Sequence, residues 1–447
     1  MFEVTGKKRR EIGTAIIERL TANGHRALFA GGYVRDMLLS TPDSGDIDIA
    51  TDAVPARISE LFSQVFGVGE HFGVMIVVED KVPFEVATFR SDVGIKDGRH
   101  PESVRFSDER EDAVRRDFTI NGLFYDPLTD EIFDYVDGRQ DLERGIIRAI
   151  GNPEARFRED YLRMLRAVRF AANLNFSIES DTWEALCRYP ERITEVSRER
   201  IFQELNKMLL GDHADRAVKL LQSSGMLVHI LPEVAVLQGV AQPPEFHPEG
   251  DVFDHTMLVL RKLDRQTQTV RWAALLHDIG KPGTMKIEDR IRFNGHDREG
   301  AAMARAILRR LRAPRSLIDT VSDCISNHMN FMNVRKMRLS TLKRFLARET
   351  IEDEIALHRA DCLASHGDIS NVEFLRGEQG RFVENTIKPA PLLTGKDLID
   401  MGLKPGPSFG IILTEAYDRQ LEDQFHTKED AVAWVRENLG KNLNSGE

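Results

Sequence analysis

Near its start the chain carries apolar residues at helical spacing, Ile12, Ile16 and Leu20 among charges, which predicts an amphipathic helix. Ala27 to Ala30 is a small-apolar run that reads as a strand, as do Val74 to Val78 and Phe84 to Ala87. Helical stretches such as Val54 to Phe66 alternate with these runs, so residues 1–150 are expected to form a small α/β domain. From Pro153 the period changes. Tyr161, Leu165 and Val168, then Leu205, Met208 and Leu209, recur at helical spacing and strand signals become scarce, which sets off a helical segment over 151–240. A Pro-rich break from Gln242 to Pro248 separates it from a second helical unit that begins near Val252 and spans 250–370. The remainder, 371–447, carries the cluster Leu403-Lys404-Pro405-Gly406-Pro407 ahead of two terminal helices, and Lys441 to Glu447 should fray. The expected fold class is α+β, a small α/β head with a short mixed sheet followed by mostly α-helical parts.

Length and composition narrow the classes. At 447 residues the chain is long enough for roughly three domains and a substantial core. Cys187, Cys324 and Cys362 are the only cysteines and show no CxxC spacing, which argues against a disulfide framework or a thiolate zinc site. A reducing cytoplasm fits that usage. The N-terminal Lys7-Lys8-Arg9-Arg10 segment lacks the continuous apolar core of a signal peptide, and no apolar run approaches a membrane span. The net charge of -11 speaks against RNA only on the surface, because local distribution matters more than the total. Arg163, Arg166 and Arg169 recur every three residues, and Arg309, Arg310, Arg312, Arg315 and Arg335, Lys336, Arg338, Lys343, Arg344 form later basic clusters. Any one such cluster is more often a solvated helix face.

The most informative chemistry lies just after the first strand. Gly31-Gly32-Tyr33-Val34-Arg35-Asp36 puts two glycines where the backbone can approach a phosphate and aim its N–H groups at it. Asp46 and Asp48, two apart in Asp-Ile-Asp-Ile-Ala, would share one face of a strand and make an oxygen-rich seat for Mg²⁺. Each motif alone would read as a tight turn or a solvated acidic strand end. Their order and closeness favour phosphoryl transfer on a nucleotide.

That order continues through Arg115-Arg116-Asp117-Phe118-Thr119-Ile120-Asn121 and Glu159-Asp160-Tyr161-Leu162-Arg163. The series resembles the bacterial-type (class II) tRNA nucleotidyltransferases, the CCA-adding enzymes, with bacterial poly(A) polymerases as close relatives. The resemblance implies an enzyme that builds or repairs the 3′ CCA end of tRNA from CTP and ATP with release of pyrophosphate. It assigns Asp46, Asp48 and Glu85 to the catalytic carboxylates, with Asp46 and Asp48 holding Mg²⁺. It gives Gly31, Gly32, Arg35, Arg116, Asp117 and Asn121 to nucleotide binding, together with Glu159, Asp160, Arg163 and Arg166. Asp134 to Leu142 resembles the next motif, which links head to neck and is structural or hinge-like.

Chemistry explains the substrate choice this implies. Asp160 and Arg163 are three apart, so on one helix they would present an acceptor beside a donor fork. Cytosine and adenine both offer an exocyclic amino donor next to a ring-nitrogen acceptor. Uracil and guanine reverse the order, and a hydrogen-bonding site rejects such a mismatch by as much as ~10⁴-fold. Glu159 is expected to orient Arg163. The polar stretch from Arg90 to Glu102, with Gly94 and Gly98, reads as a long loop. It resembles the flexible loop of members that add the terminal A, which disfavours a CC-only enzyme.

A second resemblance lies at Trp272 to Lys281, where His277-Asp278 matches the signature of HD-type phosphohydrolases. His255 upstream and Asp361 downstream complete the ligand set it implies, and His296 and His328 match positions that add a second metal in some relatives. Imidazole and carboxylate ligands suit Mn²⁺, Ni²⁺ or Fe²⁺, with Mg²⁺ open. Some members with this domain hydrolyse phosphomonoesters or 2′,3′-cyclic phosphates; in others it is a tRNA-binding scaffold. The rivals are an A-adding-only enzyme, a poly(A) polymerase, and an HD hydrolase whose head merely binds tRNA. The apolar Phe72-Gly73-Val74-Met75-Ile76 after His71 offers no basic pattern for the poly(A) reading, and the intact Asp46, Asp48, Glu85 and Arg163 disfavour the last.

Overall fold

The computed structural model describes residues 5–41, 47–69, 73–95, 101–243, 245, 250–382 and 387–443. They fall into two compact units, Met1–Ala235 and Val236–Glu447.

The first unit begins with α1 (Gly6–Ala22), capped by the Thr5 hydroxyl, whose Ile12, Ile16, Ile17 and Leu20 form a buried stripe. Beneath it lies a seven-stranded mixed sheet in the order β3-β4-β5-β2-β1-β8-β9. Its strands are β1 (Ala27–Ala30), β2 (Asp48–Thr51), β3 (Val65–Gly69), β4 (Val74–Glu79), β5 (Val82–Thr88), β8 (Leu123–Asp126) and β9 (Glu131–Asp134). The pair β2–β5 is parallel, and every other neighbouring pair in this sheet is antiparallel. β1 is buried on both faces. Ala27 and Phe29 join a large core with α1, while Leu28 and Ala30 pack with Ala50, Phe89 and Phe124 on the other side. Side-chain alternation along the strand makes this division. Two short helices, α2 (Gly32–Leu38) and α3 (Pro55–Leu61), border the first of these cores.

Two expectations change here. The stretch Val54 to Phe66 is not one helix: α3 ends at Leu61, and Val65 and Phe66 pair with Val77 and Ile76 of β4. β-branched and aromatic side chains take strand positions once a partner edge is available. The stretch after Arg90 is not a plain loop either. β6 (Arg90–Ile95) and β7 (Pro101–Phe106) pair antiparallel from Arg90↔Phe106 to Ile95↔Pro101. Residues 96–100 lie outside the described residues. Ladder hydrogen bonds order this segment, and polar composition conceals them.

Helices α4 (Glu109–Arg115) and α5 (Gly138–Arg144) then lead into the helical part. There, α6 (Pro153–Glu159), α7 (Leu162–Asn173), α8 (Ser180–Arg188), α9 (Arg198–Leu209) and α10 (Ala214–Ser223) follow in order. The Asp134 carboxylate accepts from the N–H groups of Val136, Gly138 and Arg139, and Asp141 accepts from Thr119 and Arg148. Asp134 therefore holds a backbone turn, while Asp141 ties together the side chains of Thr119 and Arg148.

Among the described residues of the second unit, the strands are the antiparallel pair Lys286–Ile287 and Ile291–Arg292, and the remaining regular elements are helical. Helices Val252–Lys262, Gln268–Leu276, His296–Arg310, Arg315–Asn327 and Ile351–Ala364 carry the histidines and acids singled out above or stop one or two residues short of them. A separate small core of Leu393, Leu398, Ala416, Phe425, Ala431 and Val435 organises the C-terminal helices. No helix among the described residues is long and apolar enough to cross a membrane.

Candidate active site and metal centre

In the first unit the parallel register of β2 and β5 sets Asp48 beside Glu85. Paired residues of adjacent strands project to the same face, and both carboxylates are exposed at that spot. Asp46 lies outside the described residues. On one side of the pair opens a cavity of about 590 Å³ lined by Gly31, Gly32, Asp48, Asp117, Asn121 and Asp160 among others. Eight basic side chains also line it: Arg35, Arg115, Arg116, Arg163, Arg166, Arg169, Arg200 and Lys207. They outnumber its four carboxylates, Asp36, Asp48, Asp117 and Asp160, so the cavity suits a polyanion such as a triphosphate. A second, smaller cavity of about 200 Å³ shares Asp48, Arg115 and Arg116 and is otherwise walled by Glu85, Arg90 and small apolar residues of the sheet.

Local backbone explains the glycine turn. Gly31 has φ 67° where β1 turns into α2, and a Cβ there would come within 2.8 Å of the Arg116 guanidinium. Any larger residue would be strained and would displace a cavity arginine. Behind the turn the polar residues form one network. Arg35 donates to Asp36 at 2.7 Å and to Asn121 Oδ1 at 2.8 Å, Asn121 donates to Asp117 at 3.0 Å, and Arg166 pairs with Asp117 at 2.6 Å. Burial alone would raise the Asp117 carboxyl. The Arg166 charge and hydrogen bonds from Asn121, Arg166 and the Phe118 N–H more than offset it, holding the group down at about 2. Arg116 is braced by Asp112 at 2.9 Å. Of the residues matched to the nucleotide motifs, Asp117 and Asn121 are therefore buried braces, while Arg163 and Arg166 retain more exposure.

Asp160 and Arg163 do not share a helix. Asp160 is extended, with φ -157° and ψ 105°, and breaks α6 from α7. Its carboxylate accepts from the Leu162 N–H at 3.0 Å, a local bond that competes with helix continuation. Arg200 of α9 closes on both of its oxygens at 3.1 and 2.6 Å. Arg163 pairs with Glu159 and donates to the Arg156 carbonyl at 2.9 Å. Both groups line the cavity, each fixed by a different neighbour. Arg200 and Lys207 went unread in the sequence because Ser-Arg-Glu-Arg looks like any solvated charge run. The pairing of Arg169 with Glu204 at 2.6 Å is equally a product of helix packing.

In the second unit six side chains converge. His255 Nε2 is 3.0 Å from Asp361 Oδ1, His277 Nε2 is 3.1 Å from Asp278 Oδ2, and His296 Nε2 is 3.5 Å from Asp278 Oδ1. The donors group as His255, His277 and Asp361, and as Asp278, His296 and His328. All six are buried except Asp361, which is partly exposed. His277, His296 and His328 each set Nδ1 against the carbonyl three residues upstream, at 2.9, 2.7 and 2.6 Å. That hydrogen bond puts the proton on Nδ1 and leaves Nε2 as a lone pair, the tautomer a metal requires. His296 Nε2 and His328 Nε2 then face each other at 3.1 Å. Two lone pairs at that distance repel unless a cation lies between them or one ring is protonated. Burial, reinforced by the neighbouring His277 and His296, pushes His328 down to about 4, which disfavours protonation. Four imidazoles and two carboxylates converging in two groups make a donor set that fits a metal. Lys281 reaches Asp278 at 2.7 Å and Gln242 at 2.5 Å, and Gly280 has no room for a side chain because a Cβ would lie 2.3 Å from the His296 carbonyl.

Comparison with known proteins agrees with this order of parts. The poly A polymerase head domain profile matches residues 27–148, that of the probable RNA and SrmB-binding site of polymerase A matches 175–237, and the HD domain profile matches 252–365. The CCA-adding enzyme of Geobacillus thermodenitrificans is 38% identical over 266 residues, covering 59% of this chain and 62% of that protein. The CCA-adding enzyme of Enterococcus faecalis is 46% identical over 198 residues, covering 44% of this chain and 48% of that one. The chain thus spans less than two thirds of the length of these curated relatives. The crystal structure of the Bacillus stearothermophilus CCA-adding enzyme in complex with CTP superposes with a TM-score of 0.76 at 27% identity, covering 97% of this chain and 98% of that one. A Thermotoga maritima CCA-adding enzyme complexed with tRNA shares the fold, with a TM-score of 0.61 at 19% identity over 98% of this chain and 97% of that one. The chain thus carries, in this order, segments that match the poly A polymerase head domain, the probable RNA and SrmB-binding site of polymerase A and the HD domain, and along its length it is similar to bacterial CCA-adding enzymes.

Proposed function

We propose that this chain is a metal-dependent tRNA nucleotidyltransferase that adds or repairs the 3′-terminal CCA, using CTP and ATP. The observation that carries this reading is the in-register pair Asp48 and Glu85, of which Asp48 lines a cavity walled by eight basic side chains and both line the smaller cavity that adjoins it. Asp48 and Glu85, with Asp46, would hold Mg²⁺, which when bound supplies hydroxyl activation and charge neutralisation on the leaving pyrophosphate. Gly31, Gly32, Arg35, Arg116 and Arg166 bind the triphosphate and ribose, while Asp117 and Asn121 brace them. Asp160 and Arg163 read the base edge. Three hydrogen bonds occupy the Asp160 carboxylate, which has about four acceptor sites, so one remains for the exocyclic amino group of cytosine or adenine. Support for the substrates comes from the similar Bacillus stearothermophilus CCA-adding enzyme in complex with CTP.

The test is incorporation by the purified protein on a tRNA ending before CCA, with CTP and ATP supplied singly and together. CTP alone should yield CC and both should yield CCA. Addition of A alone to a tRNA already ending in CC, with no CTP use, would replace this reading by the A-adding one, and long A tails would replace it by poly(A) synthesis.

The facing histidines of the second unit favour a second activity, metal-dependent phosphohydrolysis. Its nitrogen-rich donors favour Mn²⁺, Ni²⁺ or Fe²⁺ over Mg²⁺. Hydrolysis of a 2′,3′-cyclic phosphate, measured with each metal in turn, tests it.

A further inference from the structure

Phe170 of α7 is the meeting point of three cavity arginines. The guanidinium carbons of Arg35, Arg166 and Arg169 lie 5.0, 5.2 and 4.1 Å from its ring centroid. They come from two elements, Arg35 from α2 beside the glycine turn and the other two from α7 itself. The ring is only 5% exposed, lines the cavity, and meets Phe118 edge-on at 5.8 Å. Each arginine also has one carboxylate partner: Asp36 for Arg35, Asp117 for Arg166 and Glu204 for Arg169.

Three like charges around one point repel one another, and carboxylates on one flank do not by themselves fix their spacing. A further carboxylate at the centre would cancel the charge that an incoming anion needs. An aromatic ring differs from both alternatives, because its face attracts cations through the quadrupole while adding no net charge. We infer that Phe170 is a positioning residue that holds Arg35, Arg166 and Arg169 convergent for the triphosphate of the incoming nucleotide. This deepens, and rests on, the nucleotidyl-transfer reading above. Phe118 packs against this ring at a steep interplanar angle, so the Arg-Arg-Asp-Phe motif contributes a neighbour of Phe170 as well as Asp117.

The full-length protein with Mg²⁺ provides the test, by calorimetric titration with CTP and, separately, with inorganic tripolyphosphate. Phe170→Leu keeps an apolar side chain but removes the quadrupole, and should weaken both ligands by ~10-fold, the value of one partly desolvated cation–π contact or more. Phe170→Tyr keeps the ring and should bind both within about twofold of the parent. In nucleotide incorporation the loss in Phe170→Leu should fall on KM for CTP and ATP alike rather than on kcat. Should Phe170→Leu fail to fold, Phe170→Met takes its place in the same comparison. Equal binding by the parent and the Leu or Met variant overturns the role of Phe170 and leaves the transferase reading standing. Equal defects in Leu and Tyr variants reduce it to packing and overturn it too. A parent protein that binds neither CTP nor tripolyphosphate overturns both readings.

Discussion

Asp48 and Glu85 lie directly opposite one another across the parallel β2–β5 pair of the head sheet, one residue at the start of its strand and the other in mid-strand. The register fixes their separation more firmly than loop-borne carboxylates could be fixed, because a one-residue slip would turn one of them into the core. Asp48→Asn or Glu85→Gln should therefore lower nucleotide incorporation by ~10³-fold or more, the effect of losing several kcal/mol of metal-borne charge stabilisation. tRNA retention in a gel-shift assay should stay near the parent value. Substantial residual incorporation by both variants would remove these carboxylates from the chemistry.

Arg200 is expected to govern base choice without contacting the sheet carboxylates. It holds both oxygens of Asp160, so Arg200→Ala leaves that side chain with the Leu162 N–H as its remaining partner among those described. Discrimination of CTP and ATP against UTP and GTP should fall by at least ~10-fold, as expected for loss of a charge-assisted bidentate pair. Arg200→Lys should recover little of it, since an ammonium cannot span two oxygens in a fixed fork. Incorporation ratios measured with single nucleotides decide the matter.

Acid stability should carry the signature of Asp117. Its carboxyl is depressed from the ordinary 3.8 to about 2, because the Arg166 charge and three hydrogen bonds outweigh burial. A depressed acid contributes stability that is fully present above its unfolded value and is lost as pH falls through the folded one. The contribution, about 2 kcal/mol, should thus be intact above pH ~5 and lost between pH ~4 and ~2. Asp117→Asn should flatten the denaturant midpoint over that window while lowering it at neutral pH. An unchanged acid profile in the variant would show that the ion pair contributes nothing to folding.

Losses at the two candidate sites should separate. His277→Ala removes one of the three donors grouped with His255 and Asp361, so bound transition metal and cyclic-phosphate hydrolysis should both drop below detection. CCA addition by the same preparation should remain within about twofold of the parent, since head and HD ligands have no residue in common. Metal content by elemental analysis gives a readout independent of turnover. Parallel collapse of both activities would instead point to a shared structural defect.

Much of this protein was legible in its sequence wherever chemistry is local. The glycine pair after Ala30, the strand carrying Glu85 and the histidine-aspartate pair at 277 and 278 each declare themselves over a few residues. Their backbone requirements, a left-handed turn, a two-residue alternation and helix ends, are short-range. The apolar periods of α1 and α7 likewise announced the faces that Ile16 and Leu165 bury.

What the tertiary structure alone decided is how charged side chains are partnered. Spacing suggested a shared helical face for Asp160 and Arg163; the helix breaks at Asp160, and packing gives that residue to Arg200, forty positions away, while Arg163 keeps the local partner Glu159 to which the sequence pointed. The polar stretch from Arg90 became a hairpin because its ladder partners begin at Pro101, and backbone pairing leaves no mark on composition. Nothing in the local sequence sets Phe170 apart; its place among the arginines follows from α2 and α7 meeting around it. A guanidinium can reach many acids that lie near it in space and few that lie near it in sequence. Ion pairing is therefore decided by the assembled fold, whereas turn, strand and helix preferences are written residue by residue.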